Sequence, residues 1–114
     1  MEDEILYVTG QQLELPLGDR RQRFDVAVQT ITKERGEAYG HPVDDFDIAS
    51  RIKHALMPCK DPVVRHALEM IGVKLARLCH TPDHLDSLID IAGYARTIAM
   101  IHDERERRNA EDRS

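Results

Sequence analysis

The sequence predicts an all-α fold, a four-helix bundle-like domain preceded by an irregular or short β-hairpin N-terminal arm. Three observations carry this reading. Four segments after Asp19 repeat apolar residues at helical spacing. Those segments are bounded by helix start and stop signals such as Asp61-Pro62, Gly36 and Thr81-Pro82-Asp83. The composition is 41% hydrophobic but only 4% aromatic, with no Trp and 32% charged residues, the balance of a soluble helical protein with an aliphatic core. At 114 residues the chain is one domain's worth, and folding a chain of this size buries roughly two thirds of its unfolded surface.

Residues 1–18 read as the arm. Ile5-Leu6-Tyr7-Val8 is β-prone, Thr9-Gly10 is a turn signal, and Leu13-Glu14-Leu15 alternates apolar and polar. An isolated two-stranded hairpin is marginal in water, so an ordered arm is expected to pack on the helical core or on another subunit. The helical domain is expected over residues 19–102. Asp19 is the expected N-cap of a first helix that carries Phe24, Val26, Ala27, Val28 and Ile31 and ends at Gly36. Arg20, Arg21 and Arg23 sit in its first turn, where the helix dipole disfavours cations, so they are expected to face solvent or a partner.

Gly36 to Pro42 reads as a loop. A second helix opens at Val43 or Asp44, with Phe46, Ile48, Ala49, Ile52 and Leu56 as its apolar stripe, and closes over Met57 to Lys60. Asp61-Pro62, a cap followed by Pro at the first helical position, starts a third helix that runs to about Cys79 and is apolar on nearly all faces. It should be central. Asp83 is the expected cap of a fourth helix, also apolar on more than one side, and residues 103–114 read as a charged extension that frays. Two helices apolar all round in so short a chain predict a homo-oligomer.

The charge balance excludes some functions. A formal net charge of -5 disfavours a general nucleic-acid coat, which needs a surplus of Lys and Arg. No apolar run approaches the roughly 20 residues that span a bilayer, and the acidic start Met1-Glu2-Asp3-Glu4 is the opposite of a basic signal-peptide start, so no membrane association and a cytoplasmic location are expected. Cys59 and Cys79 are too few for a disulfide scaffold and lack zinc spacing.

Two stretches carry chemistry. From Leu68 to Met100 the chain reads as a helical hairpin; if its arms are antiparallel, Arg77 faces Asp86, Lys74 faces Asp90, Gly72 faces Ala92 and Met70 faces Tyr94. Asp86 and Asp90 lie one turn apart on one helix face, with Asp83 a further turn back and Glu69 the nearest acid on the third helix. Such a pair can hold Mg²⁺ together with water and substrate phosphates. Equally, the two acids can neutralise the two bases as an internal ionic lock. The second stretch is Tyr39-Gly40-His41-Pro42, whose phenol and imidazole can contact a base or move a proton, or can simply anchor the loop. The remaining histidines show no metal-ligand spacing.

The run Tyr39-Gly40-His41-Pro42, Phe46, Ile48-Ala49, Lys74-Leu75-Ala76-Arg77-Leu78, Asp86-Ser87 and Asp90-Ile91-Ala92-Gly93-Tyr94-Ala95 resembles a family of small, mostly uncharacterised bacteriophage and prophage proteins, over roughly Arg20 to Ile101. That family is similar, more remotely, to the phage nucleotide-modification-associated domain and to the all-α nucleoside triphosphate pyrophosphatases of the MazG and dimeric dUTPase type. Those enzymes are helical oligomers that use Mg²⁺ to cleave a nucleotide between its α and β phosphates. The resemblance implies a nucleotide-handling protein in which His41, Lys74 and Arg77 act in catalysis, Tyr39, His41, Lys74, Arg77 and Tyr94 bind the ligand, and Asp86 and Asp90 hold Mg²⁺. The sequence departs from the enzymes on the third helix, where Lys74 and Arg77 stand in place of metal-binding carboxylates. Two alternatives follow: a nucleotide-binding or sequestering module without catalysis, and a structural helical oligomer that binds a host or phage protein.

Overall fold

The computed structural model describes residues 4–8, 11–15 and 19–113. The chain forms two compact units, residues 1–40 and 41–114. In the first, β1 (Glu4–Val8) pairs antiparallel with β2 (Gln11–Leu15), Leu6 opposite Leu13, and β1 lies against α1 (Arg20–Tyr39). The Thr9-Gly10 turn signal falls outside the described residues.

Helix α1 departs from expectation in three places. Asp19 occupies the N-cap position, yet its side chain makes no capping bond. Gly36 does not end the helix, which continues to Tyr39 and stops at Gly40. A glycine inside a helix costs only about 1 kcal/mol relative to Ala; what requires glycine is the stop itself, where Gly40 adopts φ 80° and its N–H bonds Gly36 O at 2.9 Å. Arg23, expected at the surface, is buried, with 2% of its surface exposed.

The second unit holds α2 (Pro42–Ala55), α3 (Pro62–His80) and α4 (Leu85–Arg113). Helix α3 packs against both neighbours and is the central element. Each start has a side-chain cap. His41 Nδ1 accepts the Val43 N–H at 3.1 Å, with Pro42 as the first helical residue. Asp61 Oδ1 accepts the N–H groups of Val63 and Val64 at 3.1 and 3.2 Å, ahead of Pro62. For α4 the capping residue is His84 rather than Asp83: its Nδ1 accepts the Ser87 N–H at 3.3 Å and lies 2.8 Å from Ser87 Oγ. Ser87 is buried, and its small side chain seats the start of α4.

Gly72 faces α2 rather than Ala92 on α4. A Cβ built on Gly72 would lie 2.8 Å from Ile52 Cγ2, so the glycine permits the closest approach of α2 to α3. Helix α4 does not fray after His102 but runs to Arg113. Glu104 accepts from Arg107 Nε at 2.9 Å and from Arg108 Nε at 2.7 Å, and Arg107 reaches Glu111 at 2.6 Å. These i, i+3 and i, i+4 pairs carry the helix through a stretch without apolar support.

Among the described residues, the fully buried hydrophobic side chains are Ala27, Ala67 and Ala76. Larger apolar side chains, including Phe24, Phe46, Leu85, Leu88, Ile89 and Met100, are exposed. No described helix is long and apolar enough to cross a membrane.

Candidate functional site on the α3–α4 hairpin

Antiparallel packing of α3 and α4 sets which side chains meet. Lys74 Nζ lies 3.0 Å from Asp90 Oδ2, the contact expected from the hairpin register. The pair is asymmetric: the Lys74 side chain is 13% exposed and that of Asp90 44%. Lys74 buries its apolar stem against the hairpin and presents its ammonium to a carboxylate that water still reaches. Arg77 lies in the last turn of α3, half-buried and engaged in its own interaction. Asp86 lies in the first turn of α4 and is exposed, where the helix dipole favours an anion. Tyr94 is half-buried one turn beyond Asp90.

The Tyr39 to Pro42 stretch is divided between the two units. Tyr39 ends α1, half-buried, and lines a groove of about 300 Å³ with Ile31, Glu34, Arg35 and Ala38. His41 opens the second unit as an exposed cap. Its Nδ1 accepts the Val43 backbone N–H at the start of α2. The imidazole expected to do chemistry therefore has a structural task at α2.

A second ion pair crosses the same hairpin at its open end. Arg105 grips Asp61 with both terminal nitrogens, Nη1 on Oδ2 and Nη2 on Oδ1, the latter at 3.0 Å. Asp61 thus caps α3 and binds α4 at once. The Arg105 bond first, then the Val64 N–H, hold its carboxyl well below the usual carboxylate range. Bonds from Arg107 and Arg108 lower Glu104 to about 2. Beside them Val63, Thr97, Met100, Ile101, Glu104, Arg105 and Arg108 line an open groove of about 510 Å³. The sequence marks Asp61 as a cap but not its partner, although Asp61 and Arg105 obey nearly the same register as Lys74 and Asp90.

For a metal, the hairpin offers Asp86 and Asp90, the second already paired with Lys74. Among the described residues no three His, Cys, Asp or Glu side chains converge on a point that could hold an ion. Cys59 and Cys79 are free thiols.

The chain belongs to the family described as Domain of unknown function (DUF6378), which matches residues 22–103. It is 33% identical over 81 residues to the Gene 55 protein of Mycobacterium phage D29. That alignment covers 71% of this chain and 54% of the phage protein, so the chain spans about half the length of its relative. These likenesses define a phage protein family, in line with the resemblance drawn from the Tyr39-Gly40-His41-Pro42 and Asp90 to Ala95 motifs. No solved structure matches the chain. The family match takes in the Lys74–Asp90 pair and stops short of Arg105.

Proposed function

We propose that the protein is a phage-type nucleotide-binding module whose α3–α4 hairpin recognises phosphate through Lys74 and Arg77. The observation that carries this reading is the asymmetry of the Lys74–Asp90 pair. An ammonium largely withdrawn from water, with its field weakly screened, is held by a single carboxylate that stays accessible. A phosphate oxygen can take the place of that carboxylate, and Arg77, one turn along α3, supplies a second cation with the fork geometry that phosphate matches. Tyr94, one turn from Asp90, is the aromatic of the same hairpin available to a base.

Binding without hydrolysis is preferred over a magnesium-dependent pyrophosphohydrolase, because α3 carries Lys74 and Arg77 where a metal site would need carboxylates. The hydrolase reading keeps one point in its favour: Asp86 is exposed one turn away, and Mg²⁺ needs only one or two carboxylates when the nucleotide brings its own phosphates. Isothermal titration of ribo- and deoxyribonucleoside triphosphates, with Mg²⁺ and with chelator, separates the two. Binding that survives chelator and returns intact nucleotide supports the module; pyrophosphate release only with Mg²⁺ supports the hydrolase; no binding by any nucleotide ends both.

A further inference from the structure

The flank of α4 that carries Asp90 continues past the ion pair as one surface. Asp90, Gly93, Thr97, Met100 and Glu104 follow one another at alternating steps of three and four, the spacing that keeps residues on one side of a helix. The last three line the open groove of about 510 Å³, with Val63 and Ile101 completing its apolar floor and Arg105 and Arg108 at its far end. Small-molecule sites of about 300–1,000 Å³ have this make-up, an apolar lining with a few polar groups. Between the groove and the pair lies Gly93, exposed, where an added Cβ would meet nothing within 4 Å. Gly72 is small because Ile52 presses on it, whereas no described residue presses on Gly93. A glycine within a helix costs about 1 kcal/mol relative to Ala, and here the missing side chain leaves an open path along the helix from the Lys74–Asp90 pair to the groove. The Thr97 hydroxyl is bonded back to Gly93 O at 3.0 Å, so that side chain lies flat along the path.

Resting on the nucleotide reading, we infer that this groove takes the base of the ligand whose phosphates meet Lys74 and Arg77, and that the ligand is a nucleoside triphosphate laid along α4 over Gly93. Length favours it. At about 1.5 Å per residue, Thr97 and Met100 lie about 10 and 15 Å beyond Asp90 along the axis. A nucleoside monophosphate is too short to set its base there and its phosphate on Lys74, whereas a chain of three phosphates spans the gap. Direction agrees, because Arg77 follows Lys74 toward the closed end of the hairpin: groove, Gly93, Lys74 and Arg77 come in the order of base, sugar and successive phosphates. Polarity agrees as well. Val63 and Met100 leave 51% and 58% of their surfaces in water, apolar area that a base covers. Charge is confined to the far rim, where Glu104 and Arg108 can meet the polar edge of the base and Arg105, held by Asp61 at two points, is fixed in place. The base then sits beyond Tyr94, in a groove with an apolar floor.

The test is isothermal titration of the full chain with two probes, a nucleoside triphosphate and inorganic triphosphate. Met100→Glu places a charge in the groove floor at an exposed position. Gly93→Leu fills the path with a side chain that has room there and favours a helix, so its thermal melt should be no lower than that of the native chain. Each variant should bind the nucleoside triphosphate at least about tenfold more weakly than the native chain and inorganic triphosphate equally well. A nucleoside monophosphate should bind the native chain at least about tenfold more weakly than the triphosphate. Either variant binding the nucleoside triphosphate as the native chain does, while Lys74→Met loses it, overturns the groove as the base site and leaves the phosphate reading standing. Inorganic triphosphate weakened in step with the nucleotide, or a monophosphate bound as tightly as the triphosphate, overturns it too. A native chain that binds no nucleotide removes both readings.

Discussion

Two ion pairs tie α3 to α4, and they are built differently. At the open end Asp61 and Arg105 are joined at two points, both partly exposed, and the same carboxylate caps α3. In the middle Lys74 and Asp90 meet at a single contact, with the cation withdrawn and the anion accessible. Geometry of the first kind holds helices in register; geometry of the second kind leaves a charge that a ligand can take over. The sequence alone left lock and site as rival readings of one cluster. In the folded chain the two-point geometry belongs to the open-end pair, and the single-contact pair in the middle is the one that the proposed function assigns to a ligand.

The comparison can be broken from its structural side first. Asp61→Ala removes a cap and both bonds to Arg105, and should give the largest loss of thermal stability of the substitutions considered. Asp61→Asn keeps the cap and should fall between Asp61→Ala and the native chain. Thermal melts of the three proteins check that order, and equal melts would remove the locking role from this pair.

Next comes the other side of α3. Gly72→Ala pushes a methyl group into the stiff β-branched Ile52 and should destabilise by about 1–3 kcal/mol. Gly93→Ala, made where nothing lies within 4 Å, should stabilise by about 0.5–1 kcal/mol. Urea titration of both variants reads the sign directly. His41→Ala should cost about 1 kcal/mol through loss of the α2 cap, while His41→Asn should cost little, since Asn is a good cap. If His41→Asn instead abolishes nucleotide binding at unchanged stability, the ring has a ligand as well as a helix to serve.

The smallest effect concerns pH. Glu104 falls from its ordinary 4.5 to about 2 in the folded chain, through bonds from Arg107 and Arg108. Its contribution is therefore fully present above about 4.5 and is lost as pH falls toward 2. Helicity followed by circular dichroism should decline over that window, and Glu104→Gln should flatten the part of the decline due to the end of α4.

Much of the second unit was legible because its start signals are stereochemical. Pro62 behind the Asp61 cap starts α3 as expected, whereas Pro42, expected to end a loop, is itself the first residue of α2. The register of Lys74 on Asp90 follows from the turn at Thr81 to His84. What escaped the sequence was decided at longer range. Gly36 looks like a stop, but only a positive φ makes glycine a stop, and that conformation falls at Gly40. The run from Asp103 to Arg113 looks like a tail because it has no apolar stripe, yet its own ion pairs extend the helix far enough for Arg105 to reach Asp61. The small size of Gly72 announced a close approach without saying to which helix. His41 was conspicuous as chemistry, and nothing in its neighbours besides Pro42 marked it as a cap.

The central claim is that Lys74 serves a ligand and Asp61 serves the fold. Titration of the native chain, Lys74→Met and Asp61→Asn with a nucleoside triphosphate, each paired with a thermal melt, tests it most directly. The account predicts that Lys74→Met loses at least about tenfold in affinity, roughly 1.4 kcal/mol, with little change in stability, and that Asp61→Asn does the reverse. A Lys74→Met protein that binds as the native chain does, or that unfolds as readily as Asp61→Ala, would contradict it.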